Sequence, residues 1–223
     1  GSVWSRLGSS VTVVEFLDNI VPNVDLEVAK HFHRNLQKQG LNFMLGTKVI
    51  QADLNDKGVA LLAESVNEGS QQKIDCDVVL VAVGRKPSTD NLGLEELGVK
   101  RDKNGFLCVN DKLETSVANI LAIGDCIPGP MLAHKAEEDG VAAVEMIAGG
   151  SAHIDHNLVP SIIYTHPEVA SVGKTEEHLK SQNIDYNVGK FPFSANSRAR
   201  ANDDTDGFVK ILADSVSDQI LGV

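Results

Sequence analysis

The stretch Ile120-Leu121-Ala122-Ile123-Gly124-Asp125 sets four apolar residues directly before a glycine and a carboxylate. Such a run predicts the end of a buried parallel strand, with Gly124-Asp125 where the strand stops. In open α/β sheets, ligands bind just beyond the carboxyl ends of the strands. A glycine there lets backbone approach a ligand closely, and a carboxylate accepts hydrogen bonds from a sugar or ribityl hydroxyl. After Pro128-Gly129-Pro130 a helical pattern runs over residues 131–146. A helix starting there aims free N–H groups and a positive dipole end at a phosphate or an electron-rich ring. The plainer alternative is a strand, a turn and a helix with a capping Asp.

Composition bounds the rest. The 223 residues suffice for one large domain or two small ones. A net charge of −11 argues against nucleic acid or an anionic membrane as partner. No run of eighteen apolar residues occurs, so no membrane span is expected. No basic segment followed by an apolar stretch opens the chain, so no targeting peptide is expected there. Cys76, Cys108 and Cys126 lie far apart and form neither C-x-x-C nor a metal-spaced pair. That usage fits buried thiols in a reducing compartment.

Working outward toward the start, residues 1–8 read as the last turns of a helix, with Gly8 as its stop. Residues 11–15 follow as a short β-branched strand ending in Glu15. Helix, strand and terminal acid form the second half of a βαβ dinucleotide unit, in which the acid binds the adenosine ribose hydroxyls and repels a 2′-phosphate. Alone, an acid at a strand end is ordinarily just solvated. Residues 25–39 place Leu26, Ala29, Phe32 and Leu36 on one helix face, with Gly40 as the stop. His31 and His33, two apart, point to different faces, and no metal site is expected. Strands are predicted over 49–54 and 59–66, then a turn over 67–72. Residues 77–83, DVVLVAV, predict a central parallel strand covered on both faces, leading into Gly84-Arg85-Lys86-Pro87.

Composition shifts at Gly149-Gly150-Ser151. Beyond it, strands are predicted over 160–165, 169–172, 186–193, 208–212 and 219–223. One helix over 175–181 interrupts them, with Thr175 as N-cap and Glu176-Glu177 in its first turn. This order predicts an antiparallel α+β domain, and a sheet of this size calls for further helical cover.

Five stretches together are specific. Glu15-Phe16-Leu17, Val83-Gly84-Arg85-Lys86-Pro87, Ile123-Gly124-Asp125, Met131-Leu132-Ala133-His134-Lys135-Ala136-Glu137 and Tyr164-Thr165-His166-Pro167-Glu168 occur in an order and spacing that resembles the pyridine nucleotide-disulfide oxidoreductases. The likeness runs the length of the chain. MLAHKAE and YTHPEVA point to the branch that re-oxidises protein-bound dihydrolipoamide for 2-oxo acid dehydrogenase complexes, rather than to glutathione-reductase-like relatives. The resemblance implies an α/β fold: a Rossmann-like NAD/FAD-binding portion, then part of an α+β interface (dimerisation) domain. It divides the chain into the C-terminal part of an NAD-binding domain (1–84), a central FAD-contacting domain (85–150) and an incomplete interface domain (151–223).

The resemblance also implies roles. Asp125 would hold the flavin's ribityl–phosphate side, and Met131, Leu132, Ala133 and His134 would line its ring through backbone at the helix start. Glu15 would bind the NAD ribose, with Val49 and Gly84 contacting the nucleotide mainly through backbone. His134 is read as a flavin-site residue rather than a proton carrier, and His166 as local structure in a turn. The family's redox-active cysteine pair, its glycine-rich loops and its C-terminal His base have no counterpart in these residues, so no catalytic residue is expected here. A homodimer, a lipoyl-bearing carrier domain as partner, and the mitochondrial matrix (or a bacterial cytoplasm) complete the implied picture. Another flavin disulfide reductase of the superfamily and a non-catalytic module reusing the fold stand as alternatives.

Overall fold

The computed structural model describes residues 1–151 and 154–223. They divide into two compact units, one of residues 1–81 with 162–223, the other of residues 82–161.

The first unit opens with α1 (Ser2–Arg6), whose chain leaves through Gly8 at φ +98°. Strand β1 (Thr12–Val14) follows, and helix α2 (Leu26–Lys38) starts at Asp25, whose side chain accepts from the Glu27 amide. The apolar spacing buries Ala29, Phe32 and Leu36, and Gly40 ends the helix at φ +95°. The chain then returns as β2 (Asn42–Met44), parallel to β1 with Val13 opposite Phe43. Ile20, Phe32, Leu36, Leu41 and Val169 form the core beneath them. An antiparallel meander follows: β3 (Thr47–Asn55), β4 (Gly58–Ser65) and β5 (Gln71–Cys76). Its register shifts at a bulge between Val49 and Gln51.

The remainder of this unit carries β6 (Ser161–Ile163, its first residue in the other unit), β7 (Val169–Ser171) and α4 (Glu176–Ser181). Thr175 caps α4 by accepting from the His178 amide, as its sequence predicts. A three-stranded antiparallel sheet of β8 (Tyr186–Pro192), β9 (Phe208–Asp214) and β10 (Ile220–Gly222) has β9 at its centre. The unforeseen α5 (Ser197–Ala201) lies between β8 and β9, capped by Asn196.

The second unit is built mainly of loops around α3 (Ala133–Ile147), with Val99, Leu107, Leu113, Ala122, Ile127 and Ala143 as its core. Two expected parallel strands are absent from it and its border. Residues 120–123 are not a strand of a parallel sheet. Their backbone bonds go to a neighbouring loop, with Ala122 N–H donating to Leu113 O and Thr115 N–H to Ile120 O, in an isolated antiparallel bridge. Ala122 is buried as the apolar pattern requires, but the ladder partner is local. Residues 77–83 form no strand either: Val78, Leu80 and Val83 are exposed, and no strand among the described residues pairs with the run. An apolar sequence becomes a strand only when a neighbour accepts its backbone groups. No helix of the described residues is long and apolar enough to cross a membrane.

Candidate functional site

Gly124 is the pivot of the second unit. It opens a 3-10 turn, Gly124–Cys126, with φ +69°, the left-handed region that favours glycine. A Cβ here would also meet the Cβ of Ala136 at 3.1 Å, so the turn sits tight against the first turns of α3. Asp125 projects from this turn half-exposed, and Arg85 Nη2 donates to its Oδ2 at 2.9 Å. The Gly84-Arg85-Lys86-Pro87 stretch thus reaches the Gly-Asp turn through one surface ion pair. Gly84 itself lies at φ +108° in open space.

The helix begins two residues later than the pattern over 131–146 suggests. Leu132 is its N-cap, in extended backbone, and Met131 precedes it. No side chain caps this end, and no acid occupies its first turn. The leading N–H groups of α3 are left with no side-chain acceptor from the cap, and the dipole's positive end meets no carboxylate in that turn. Ala133 and His134 stand in this first turn. His134 Nε2 bonds to the Pro160 carbonyl at 2.7 Å.

Behind the turn lies a buried network that sequence reasoning missed. Lys135 and Asp139, i and i+4 on α3, are both wholly buried and pair at 2.8 Å. Asp139 accepts from the Gly124 amide, and Lys135 donates to the Gly124 carbonyl, each at 2.9 Å. His156 Nε2 adds a bond to Asp139 Oδ1 at 2.9 Å. Burial pushes the Asp139 carboxyl up, but hydrogen bonds from Lys135, His156 and the Gly124 amide outweigh that and hold it below the ordinary carboxylate range. The available signal was a Lys and an Asp four apart on a face otherwise made of Ala136, Ala142 and Ala143.

In the first unit, Glu15 comes just after β1, half-buried. Its Oε1 accepts from the Leu17 amide at 2.9 Å, and its carbonyl accepts from Thr47 N–H at the start of β3. Val49, also on β3, lies beside the bulge and is 46% exposed. Glu15 and the first residues of β3 are therefore neighbours. In the second unit Asp125 belongs to the Gly124 turn, and Ala133 and His134 to the first turn of α3. The three cysteines are free thiols. Among the described residues one acidic trio, Asp25, Glu27 and Glu176, has metal-like spacing, but the Lys210 ammonium already bonds all three carboxylates.

A parallel β1–α2–β2 unit with an acid after β1, antiparallel sheets, and a Gly-Asp turn set against α3 make up a mixed α/β architecture. Residues 1–140 match the pyridine nucleotide-disulphide oxidoreductase family, and residues 159–223 match its dimerisation domain. The chain belongs to that family. It is 58% identical over all its 223 residues to dihydrolipoyl dehydrogenase 2, mitochondrial, of Arabidopsis thaliana, covering 44% of that protein's length. It is 56% identical over its full length to a leghemoglobin reductase of Vigna unguiculata, covering 43% of it. Among solved structures it resembles the Cu(II) complex of the HOCl-induced flavoprotein disulfide reductase RclA of Escherichia coli, with a TM-score of 0.85 and 28% identity over 99% of this chain and 50% of that one. The chain therefore spans under half the length of these curated relatives.

Flavin and a pyridine nucleotide are the cofactors the family implies. The residues present fit a flavin nucleotide: donors at an uncapped helix start suit an electron-rich ring or phosphate, and the half-exposed Asp125 carboxylate suits a hydroxyl-bearing chain.

Proposed function

We propose that the full-length protein to which these residues belong is a homodimeric, FAD- and NAD-dependent dihydrolipoyl dehydrogenase. Its substrate is dihydrolipoamide carried on the lipoyl domain of a 2-oxo acid dehydrogenase complex, and its compartment the mitochondrial matrix, with a bacterial cytoplasm as the alternative. The observation that carries this reading is the Gly124-Asp125 turn packed against an acid-free helix start, in a chain 58% identical throughout to a dihydrolipoyl dehydrogenase. When bound, FAD would supply two-electron chemistry between a dithiol and NAD.

In this reading Asp125 accepts from a ribityl hydroxyl, and the backbone of Met131, Leu132, Ala133 and His134 supports the flavin and its negative charge. Glu15 holds the NAD ribose, with Val49 and Gly84 along the nucleotide. Residues 1–84 serve the nucleotide, 85–150 the flavin and 151–223 the partner subunit. The dithiol chemistry itself belongs to residues outside this chain.

The test is Asp125→Ala in the full-length protein. Losing a charge-assisted hydrogen bond, about 1.5–3 kcal/mol, should weaken FAD binding roughly tenfold to a hundredfold. Flavin content equal to wild type after dialysis would refute the assignment. The 56% identity to a leghemoglobin reductase supports a second reading, with the same cofactors and a different electron partner. Steady-state assay of dihydrolipoamide against a ferric haem protein separates the two.

A further inference from the structure

Gly124 is gripped through both of the peptide groups that flank its Cα. Its N–H donates to Asp139 Oδ2, and its carbonyl accepts from Lys135 Nζ, both at 2.9 Å. The two gripping groups bond each other at 2.8 Å with no exposure of either side chain. An ionised carboxylate only accepts, so His156 Nε2 supplies the proton in its 2.9 Å bond to Asp139 Oδ1. The Pro128-Gly129-Pro130 loop is seated on this group: a Cβ on Gly129 would come within 3.3 Å of Lys135 Cε and 3.6 Å of His156 Nδ1.

A buried ion pair is a weak device for stability, because desolvation offsets most of its attraction and apolar side chains fill the space as well. Its placement points elsewhere. Each member of the pair spends a hydrogen bond on the one glycine that precedes Asp125, and His156 takes the remaining oxygen of Asp139. Lys135 also belongs to the first turn of α3, so one side chain ties the Asp turn to the helix start. We infer that Lys135 and Asp139 are positioning residues that clamp the two peptide groups flanking Gly124 and so hold Asp125 and the start of α3 in the geometry that binds flavin. This rests on the flavin reading above. The pair touches no ligand itself; it acts through backbone.

The test uses the full-length protein stripped of flavin and retitrated with FAD, following flavin fluorescence and the melting temperature with and without FAD. A single substitution would strand a buried charge and risks misfolding. The decisive variant is therefore Lys135→Met with Asp139→Leu, which removes both charges together. The expected result is an apoprotein that still melts cooperatively, an FAD affinity reduced at least about tenfold, and a smaller FAD-induced rise in melting temperature. Unchanged FAD affinity in that variant overturns the inference. So does an apoprotein whose melting temperature falls while the FAD-induced rise stays as in wild type, the mark of a merely structural pair. Asp125→Ala, run in parallel, keeps the two ideas apart. Flavin lost in Asp125→Ala but not in the double variant removes the clamp alone, and flavin kept in Asp125→Ala removes the flavin reading and the clamp with it.

Discussion

Lys210 Nζ lies 2.9 and 3.0 Å from the two carboxylate oxygens of Asp25, a residue 185 positions earlier in the chain. Asp25 is committed three ways: to Lys210, to the Glu27 amide at the start of α2, and to the Glu176 amide at the start of α4. One carboxylate thus caps two helices distant in sequence and neutralises a buried ammonium. Burial pushes the Lys210 ammonium toward deprotonation, and the Glu176 and Asp25 carboxylates more than reverse it, raising its pKa.

Asp25→Ala should cost more than a cap. An N-cap lost to alanine costs about 0.5–2 kcal/mol, while removing one partner of a buried pair costs about 3–5. Glu176 still faces Lys210, so the total should fall between these figures. Asp25→Asn, whose single amide oxygen can still accept from one of the two helix-start amides, should be less damaging. Urea unfolding of the three proteins measures the difference, and an Asp25→Ala loss below about 0.5 kcal/mol removes Asp25 from its central place.

Acid sensitivity should centre on Glu176. Lys210, Tyr186 and Lys180 bond its carboxylate and lower its pKa from 4.5 to about 2. The folded-state value is the lower one, so its stabilisation is complete above about pH 4.5 and disappears as the pH falls through about 2. Glu176→Gln has no such titration. Its stability should depend less steeply on pH between those limits, and parallel acid-unfolding curves for the two proteins would count against the assignment.

Gly124→Ala should destabilise the second unit. A left-handed backbone costs a non-glycine residue about 1–2 kcal/mol, and the new Cβ would press on Ala136 at 3.1 Å. Chemical denaturation should show at least that loss. A fully stable Gly124→Ala protein would mean the turn can relax without cost.

Local signals in the sequence were dependable where a short segment decides its own conformation. The apolar stripe of α2, the Thr175 cap and the stop at Gly40 all depend on neighbours within one helical turn. β2 and α5 escaped notice: β2 is three residues long, and Ser-Arg-Ala-Arg-Ala offers no apolar stripe. Residues 77–83 and 120–123 show the opposite limit. Their apolar runs record a wish for burial but not the identity of the strand beside them, which is a non-local fact. Likewise Glu15 and Asp125 were visible as acids at chain turns. Lys135, Asp139 and His156 were not, because charged residues on a helix are ordinarily read as its solvent face.

Glu15 should set nucleotide preference. A 2′-phosphate at this position would meet a carboxylate rather than a guanidinium. In the full-length protein, Glu15→Ala should weaken NAD use and narrow the preference for NAD over NADP. Steady-state kinetics with both nucleotides measures this, and an unaltered ratio of kcat/KM values would assign the discrimination to another residue.

The first unit is discontinuous, and that has a temporal cost. Its core closes Ile20, Phe32 and Leu36 against Val169, so the first 81 residues wait for chain made more than 80 residues later. Residues 82–161 form a unit from one contiguous stretch, so none of its internal contacts waits for chain beyond residue 161. Synthesis delivers the chain in order. The glycine turn and its helix should therefore be assembled while the opening βαβ half still lacks part of its core. Order of emergence, not only final geometry, then decides which of the two units is complete first.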